Sequence, residues 1–181
     1  MKKLAAIGVL AAVAILLVVA RSHANDSLLP VGAAAPEVVG KDAAGTTFKL
    51  SAQKGHFAVV YFYPKDETAG CTKEACAFRD ASADYAKKGI TIFAVSRDSD
   101  ASHKGFREHY HLPFPMVADS SGAVQKAYGV PSVAPGIHIA SRVTFLVGPD
   151  GKIVRVWPKV DPVVNAKEVL AAAAATPHKH S

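Results

Sequence analysis

This chain has few side chains suited to cross-linking or redox chemistry. Only two of its 181 residues are cysteine, and there are two methionines and one tryptophan. Two cysteines cannot staple a disulfide-dense mini-protein. Basic residues never run longer than two, and there is neither a Gly-x-Gly-x-x-Gly stretch nor a Cys-x-x-Cys pair. These absences argue against nucleic-acid binding, a dinucleotide fingerprint and a thioredoxin-type redox motif. The 13 glycines and 11 prolines are scattered, and 50% of residues are apolar, which excludes a disordered tail or a collagen-like repeat. Only one apolar run is long enough to concern a membrane, so the chain is not polytopic.

That run opens the chain. Lys2 and Lys3 precede an apolar segment at residues 4–20, followed by Arg21, Ser22, His23 and Ala24. A basic start, an apolar middle and small residues at the end form an export signal, with cleavage after Ala24. At 17 residues the segment also meets the lower limit for spanning a bilayer, roughly 17–25, so an uncleaved anchor is the alternative. In either case the lysines stay cytoplasmic and the rest is expected in the periplasm, free or tethered to the inner membrane. Three of the 21 basic residues and none of the 15 acidic ones lie in residues 1–24, so the remainder carries a net +3.

Residues 25–35 are polar, small and proline-containing, and read as a linker. A domain is expected over 36–175, with a polar, histidine-containing tail at 176–181. The stretch 38–50 reads as a hairpin turning at 41–45. The continuous apolar runs 57–63 and 90–96 suit strands buried on both faces. Between them, 71–88 reads as a helix, with Cys71, Ala75, Phe78, Ser82 and Tyr85 on one face and Gly89 as its stop. A helix at 102–110, a strand at 114–118 and a helix at 122–128 follow. The strands 142–147 and 152–157 flank a Gly-Pro-Asp-Gly turn, and 163–175 closes as an alanine-rich helix. Alternating strands and helices predict an α/β domain: a central mixed sheet with helices on both faces.

The two cysteines, Cys71 and Cys76, both fall on the predicted helix. Five residues along a helix separate Cα atoms by roughly 8.5 Å, and a disulfide needs less than about 7 Å. An exported pair would ordinarily be a structural bridge. This pair cannot bond while the helix is intact, which suits a redox pair better. Cys71 begins the helix, where the helix N-terminus favours a thiolate. Thr68 reads as an N-cap or as a hydroxyl beside that thiolate, and Pro64 as the residue that directs the loop and shields the site. Polar Thr72, Lys73 and Glu74 with small Ala75 and Ala77 read as a loosely packed segment.

The run Pro64-Lys65-Asp66-Glu67-Thr68-Ala69-Gly70-Cys71, following Tyr61-Phe62-Tyr63, resembles the peroxiredoxin motif Pro-x-x-x-Thr-x-x-Cys. With Cys76 five residues on, the chain resembles the Q-type peroxiredoxins, also called bacterioferritin comigratory proteins, over roughly residues 30–170. The resemblance implies a thioredoxin-like fold and a thiol-dependent peroxidase acting on hydrogen peroxide and organic hydroperoxides. It implies Cys71 as the peroxidatic cysteine, Cys76 as the resolving one, Thr68 holding the peroxide, and Arg142 favouring the thiolate and polarising the O–O bond. It also implies an intrachain disulfide recycled by a thioredoxin-like or other dithiol, with no metal, flavin or haem cofactor and no need for a dimer. Without the resemblance Arg142 reads as an exposed cation at a strand end. Ala69 departs from the proline usual at that position.

Two other functions compete. Cys71, Cys76 and a histidine suggest a thioredoxin-like carrier of a soft metal such as copper. A disulfide-exchange enzyme is disfavoured by the missing Cys-x-x-Cys. Among the eight histidines, His178 and His180 lie in the tail, and His103 and His138 read as loop residues. His109 and His111, two apart, cannot share a helix face.

Overall fold

The computed structural model describes residues 27–176. Its first two strands, β1 (Val39–Lys41) and β2 (Thr47–Lys49), pair antiparallel around a turn closed by Asp42. The Asp42 carboxylate accepts from the Ala44 and Thr46 amides at 2.9 and 2.8 Å, and Gly45 supplies the left-handed backbone. The strand β3 (Ala58–Phe62) is buried at every residue. Val59 and Tyr61 enter one apolar cluster, whereas Ala58, Val60 and Phe62 enter another on the opposite face. The continuous apolar run is therefore a strand covered on both sides.

After β3 come α1 (Ala69–Asp80), α2 (Ser82–Lys87), β4 (Thr91–Ser96), α3 (Asp100–Tyr110), β5 (Met116–Ala118) and α4 (Ala123–Ala127). The hairpin of β6 (Val143–Val147) and β7 (Ile153–Trp157) then leads to α5 (Asn165–Ala175). The sheet runs β2-β1-β5-β4-β3-β6-β7. Strands β5, β4 and β3 are parallel, and the other neighbours are antiparallel. The mixed sheet expected from the element order is present. Its two faces are covered unequally. Side chains of α1, α2, α3 and α5 pack on one, while the other is covered by α4 and the chain before β1.

Two expectations change. The single helix expected at 71–88 is two, broken at Ala81, which lies between Asp80 and Ser82. Aspartate and serine compete with helical hydrogen bonds and favour such breaks. Beyond the break, Tyr85 hydroxyl donates to the Ala166 carbonyl at 2.6 Å and ties α2 to α5. Residues 28–35, expected as a linker, are docked. The Leu29 amide donates to Tyr128 O at 3.1 Å and the Ala35 amide to Gly151 O at 2.9 Å, while Leu28, Leu29, Ala33 and Ala35 pack on the second cluster. Their apolar side chains hold this segment down despite its polar, proline-containing context. The export signal and the histidines of the tail lie outside the described residues. Among the described residues no helix is long and apolar enough to cross a membrane.

Candidate active site

Strand register brings the site together. Phe62 of β3 pairs with Val143 of β6, so Arg142 emerges beside the chain as it leaves β3 for the Pro64 loop. That loop leads into α1, which starts at Ala69, two residues earlier than expected, with the Thr72 amide donating to Thr68 O at 2.8 Å. Cys71 lies in the first turn and is 1% exposed against the sheet. Its Sγ is 3.3 Å from Arg142 Nη2. A side chain on Gly70 would crowd that guanidinium, because a Cβ there would lie 3.2 Å from Nη2.

Arg142 is not an exposed strand-end cation. Its Nη1 pairs with Glu74 Oε2, and the Glu74 side chain is wholly buried. Burial pushes the Glu74 carboxyl up to about 7, against the pull of Arg142. Burial pulls Arg142 down, but Glu74 and Cys71 outweigh it and hold the guanidinium above its usual range. The cation is therefore shared between a sulfur and a carboxylate on adjacent turns of α1.

Glu74 also overturns the reading of this segment as loosely packed. Cys71, Glu74, Ala75 and Phe78 are all buried. Glu74 was missed because the apolar stripe was followed at steps 71, 75 and 78. A carboxylate at i+3 from Cys71 lies on that same buried face, and this spacing was the available signal.

The loop is fastened by a second buried group. Asp66 accepts from Tyr63 hydroxyl at 2.6 Å and Ser102 hydroxyl at 2.7 Å, and it faces His103 Nδ1 at 2.9 Å. His103 Nε2 faces the Val117 carbonyl at 3.1 Å. His103 is thus a buried residue of α3, not a loop residue. Burial raises the Asp66 carboxyl, but hydrogen bonds from His103, Tyr63 and Ser102 more than offset this and hold it below the usual range. Both ring nitrogens of His103 thus face acceptor oxygens, one on Asp66 and one on the Val117 carbonyl. The Asp66 amide donates to Asp98 Oδ2 at 3.0 Å, which fixes the loop from the other side.

Asp66→Asn should therefore destabilise the fold by about 1–3 kcal/mol at pH 7, because an amide replaces the buried carboxylate that accepts from the Tyr63 and Ser102 hydroxyls and faces His103. The folded carboxyl lies below its unfolded value. Its contribution is thus present above about pH 4 and lost as pH falls. Urea midpoints of wild type and variant should converge below pH 4. A constant gap across that range would count against an ionised Asp66 as the source of the effect.

Thr68 occupies the N-cap position of α1 but makes no side-chain cap hydrogen bond. Its hydroxyl donates to Lys65 O at 2.9 Å, which leaves the oxygen free to accept. Glu67, just before it, has φ 60°, and His109 Nδ1 lies 3.2 Å from its carboxylate. Pro64 is half-buried at the loop start. Neither Thr68 nor Pro64 makes a hydrogen bond to Cys71, whereas Arg142 does.

Cys76 points elsewhere. It is half-buried on the same intact helix, beside a groove bounded by α1, α2 and α5, and both cysteines are free thiols. Arg79, one turn on, is held above its usual range first by Asp80 and also by Cys76. Bonding the two sulfurs needs the first turns of α1 to melt, which pulls Glu74 off Arg142. Breaking a buried pair costs about 3–5 kcal/mol, more than the ~2 kcal/mol a five-residue disulfide loop contributes. The oxidised protein should lose helix signal and melt about 5–10 °C lower. If oxidation raised the midpoint and left amides 71–77 protected from exchange, no such opening would occur.

Among the described residues no three His, Cys, Asp or Glu side chains come together to hold a metal. The donor set a copper carrier requires is not assembled around Cys71 and Cys76.

The AhpC/TSA family profile matches residues 31–156. The chain belongs to that family. A relative from Coxiella burnetii, described as a putative peroxiredoxin bcp, is 38% identical over 149 residues, covering 78% of this chain and 97% of its own. The rice chloroplastic peroxiredoxin Q is 43% identical over 122 residues, 67% of this chain but only 56% of the rice protein. Peroxiredoxin Q of Xanthomonas campestris superposes with a TM-score of 0.72 at 36% identity, covering 83% of this chain and 98% of that one. That protein, as a bacterioferritin comigratory protein, is described as reducing alkyl peroxides. The chain is a peroxiredoxin of the AhpC/TSA family with a thioredoxin-like fold, and its homologues are of the Q or Bcp type. Serine mutants of the Xanthomonas protein concern cysteines 36 positions apart, against five here. The role of Cys76 therefore rests on this chain's own geometry.

Proposed function

We propose that the chain reduces hydrogen peroxide and organic hydroperoxides through Cys71, with Cys76 as resolving thiol and an external dithiol as electron donor. The observation that carries this reading is Arg142 Nη2 at 3.3 Å from the buried Sγ of Cys71, at the start of α1. A guanidinium and a helix N-terminus both favour the thiolate. The thiolate attacks one peroxide oxygen, the O–O bond breaks, and the leaving oxygen departs as water or alcohol after taking a proton. Arg142 stabilises the charge developing on that oxygen. Thr68, with its own proton given to Lys65 O, accepts from the peroxide O–H. Cys71 becomes a sulfenic acid, and Pro64 keeps water from it. Cys76 Sγ then attacks the sulfenic sulfur and expels its oxygen as water, forming the intrachain disulfide. A thioredoxin-like dithiol restores both thiols. One chain suffices for the cycle, so a monomer is competent.

The test is peroxide loss with purified protein. With dithiothreitol, many equivalents of hydrogen peroxide or cumene hydroperoxide should disappear per chain. Without it, about one equivalent should disappear. No loss above buffer removes the reading. We also infer export of residues 25 onward, by cleavage or by anchoring, from the basic start and the apolar run 4–20. Fractionation of producing cells checks this, and a purely cytoplasmic protein refutes it.

A further inference from the structure

Thr68 takes its direction from a single peptide group. Its hydroxyl donates to Lys65 O at 2.9 Å. The N–H of that same peptide, on Asp66, donates to Asp98 Oδ2 at 3.0 Å. A peptide is planar, so its C=O and N–H point opposite ways and turn together. Asp98 thereby aims the carbonyl that aims Thr68.

Asp98 lies just past β4 and is itself braced. The Ser96 hydroxyl donates to Asp98 Oδ2 at 2.8 Å and accepts from the Asp98 amide at 3.1 Å. Strands β3 and β4 are parallel neighbours, with Phe62 opposite Val95, so the loop after one strand meets the connection after the other. The Asp66 side chain is gripped separately by Tyr63, Ser102 and His103. Between that anchor and Thr68 stands Glu67 with φ 60°, a left-handed backbone that a non-glycine residue keeps only where its neighbours over-determine it.

We propose that Asp98 is a positioning residue for the peroxide: through the Lys65–Asp66 peptide it fixes Thr68 as a hydrogen-bond acceptor. The proposal rests on the peroxidase reading above. Thr68 is exposed, and its carbonyl is already tied to the Thr72 amide at 2.8 Å, so the hydroxyl rotor is the freedom that remains. A hydroxyl donates or accepts according to how it is turned. With its proton on Lys65 O, Thr68 presents only lone pairs to the peroxide O–H. Without Asp98 the peptide can swing, Lys65 O moves away, and the Thr68 proton is free to point at the peroxide instead. The peroxide is then held in mixed orientations, fewer of which set an oxygen in line with Cys71 Sγ. Asp98 has no part in supporting the thiolate. Arg142 reaches Cys71 from β6, on the opposite side of β3 from β4.

Two measurements on the whole protein separate the peroxide from the thiolate. Stopped-flow oxidation by limiting hydrogen peroxide reads the first. Alkylation of Cys71 by iodoacetamide across pH reads the second, because only the thiolate reacts. Asp98→Ala should slow oxidation about tenfold while leaving the alkylation profile of wild type in place. Asp98→Ser, polar but too short to reach the Asp66 amide, should behave the same way. Asp98→Asn keeps an oxygen that can accept from that amide and should restore most of the rate. Thr68→Val removes the hydroxyl through which Asp98 acts, so adding Asp98→Ala to it should cost nothing further. Full oxidation rates in the alanine and serine variants, an equally slow Asp98→Asn, a displaced alkylation profile, or additive losses in the double variant would each overturn the proposal. Wild type that consumes no peroxide with dithiothreitol would instead remove the peroxidase reading itself.

Discussion

Cys71→Ser is expected to abolish peroxide turnover, and Cys76→Ser to consume about one peroxide per chain and then stop. The two cysteines share a helix but not an environment. Cys71 Sγ is in contact with Arg142 and sits over the first turn of α1, so it is the sulfur whose thiolate is supported. A serine hydroxyl in its place stays protonated beside the same guanidinium and has no comparable nucleophilicity. Removing Cys76 leaves oxidation intact and deprives the sulfenic acid of a partner on the chain. The stalled variant should carry one added oxygen by mass, and two or three under excess peroxide. Steady-state activity surviving in Cys71→Ser would move the reaction elsewhere.

The second large effect concerns Arg142. Arg142→Met should slow the first oxidation of Cys71 by about a hundredfold, since losing one transition-state donor costs roughly 3 kcal/mol. Stopped-flow reaction with limiting hydrogen peroxide reads this step without any reductant. The substitution also strands Glu74, which is buried with Arg142 as its only hydrogen-bonding partner among the described residues. The double variant Arg142→Met with Glu74→Gln removes that burden and should recover stability while staying slow. Arg142→Lys keeps the charge, but one ammonium cannot span sulfur and carboxylate as a fork does, so an intermediate rate is expected. A full rate in the double variant would leave Arg142 only a structural role.

The elements that position the site were legible where local pattern and tertiary need agree. The apolar run at β3 becomes a buried strand, and the Gly-Pro-Asp-Gly turn joins β6 to β7. The Pro64–Thr68–Cys71 spacing lies on the loop and first helical turn as expected. What escaped was polar and buried. Glu74 reads as part of a loosely packed polar segment because its partner lies 68 positions away, and nothing local marks a carboxylate for burial. His103 and Asp66, 37 apart, belong to α3 and the Pro64 loop and meet only through sheet order. The docking of residues 28–35 likewise depends on contacts with Tyr128 and Gly151, far along the chain.

The sealed ring of His103 has a consequence for observing this enzyme at work. Its two ring nitrogens face Asp66 and Val117, and the side chain is 2% exposed. A ring N–H held there cannot trade its proton with water unless the Pro64 loop lifts from α3. The exchange lifetime of that N–H, read by proton magnetic resonance, is a clock for that lifting. A clock that quickens when peroxide oxidises Cys71 would show that opening spreads from α1 into the loop. One that keeps its pace would confine the motion to the helix.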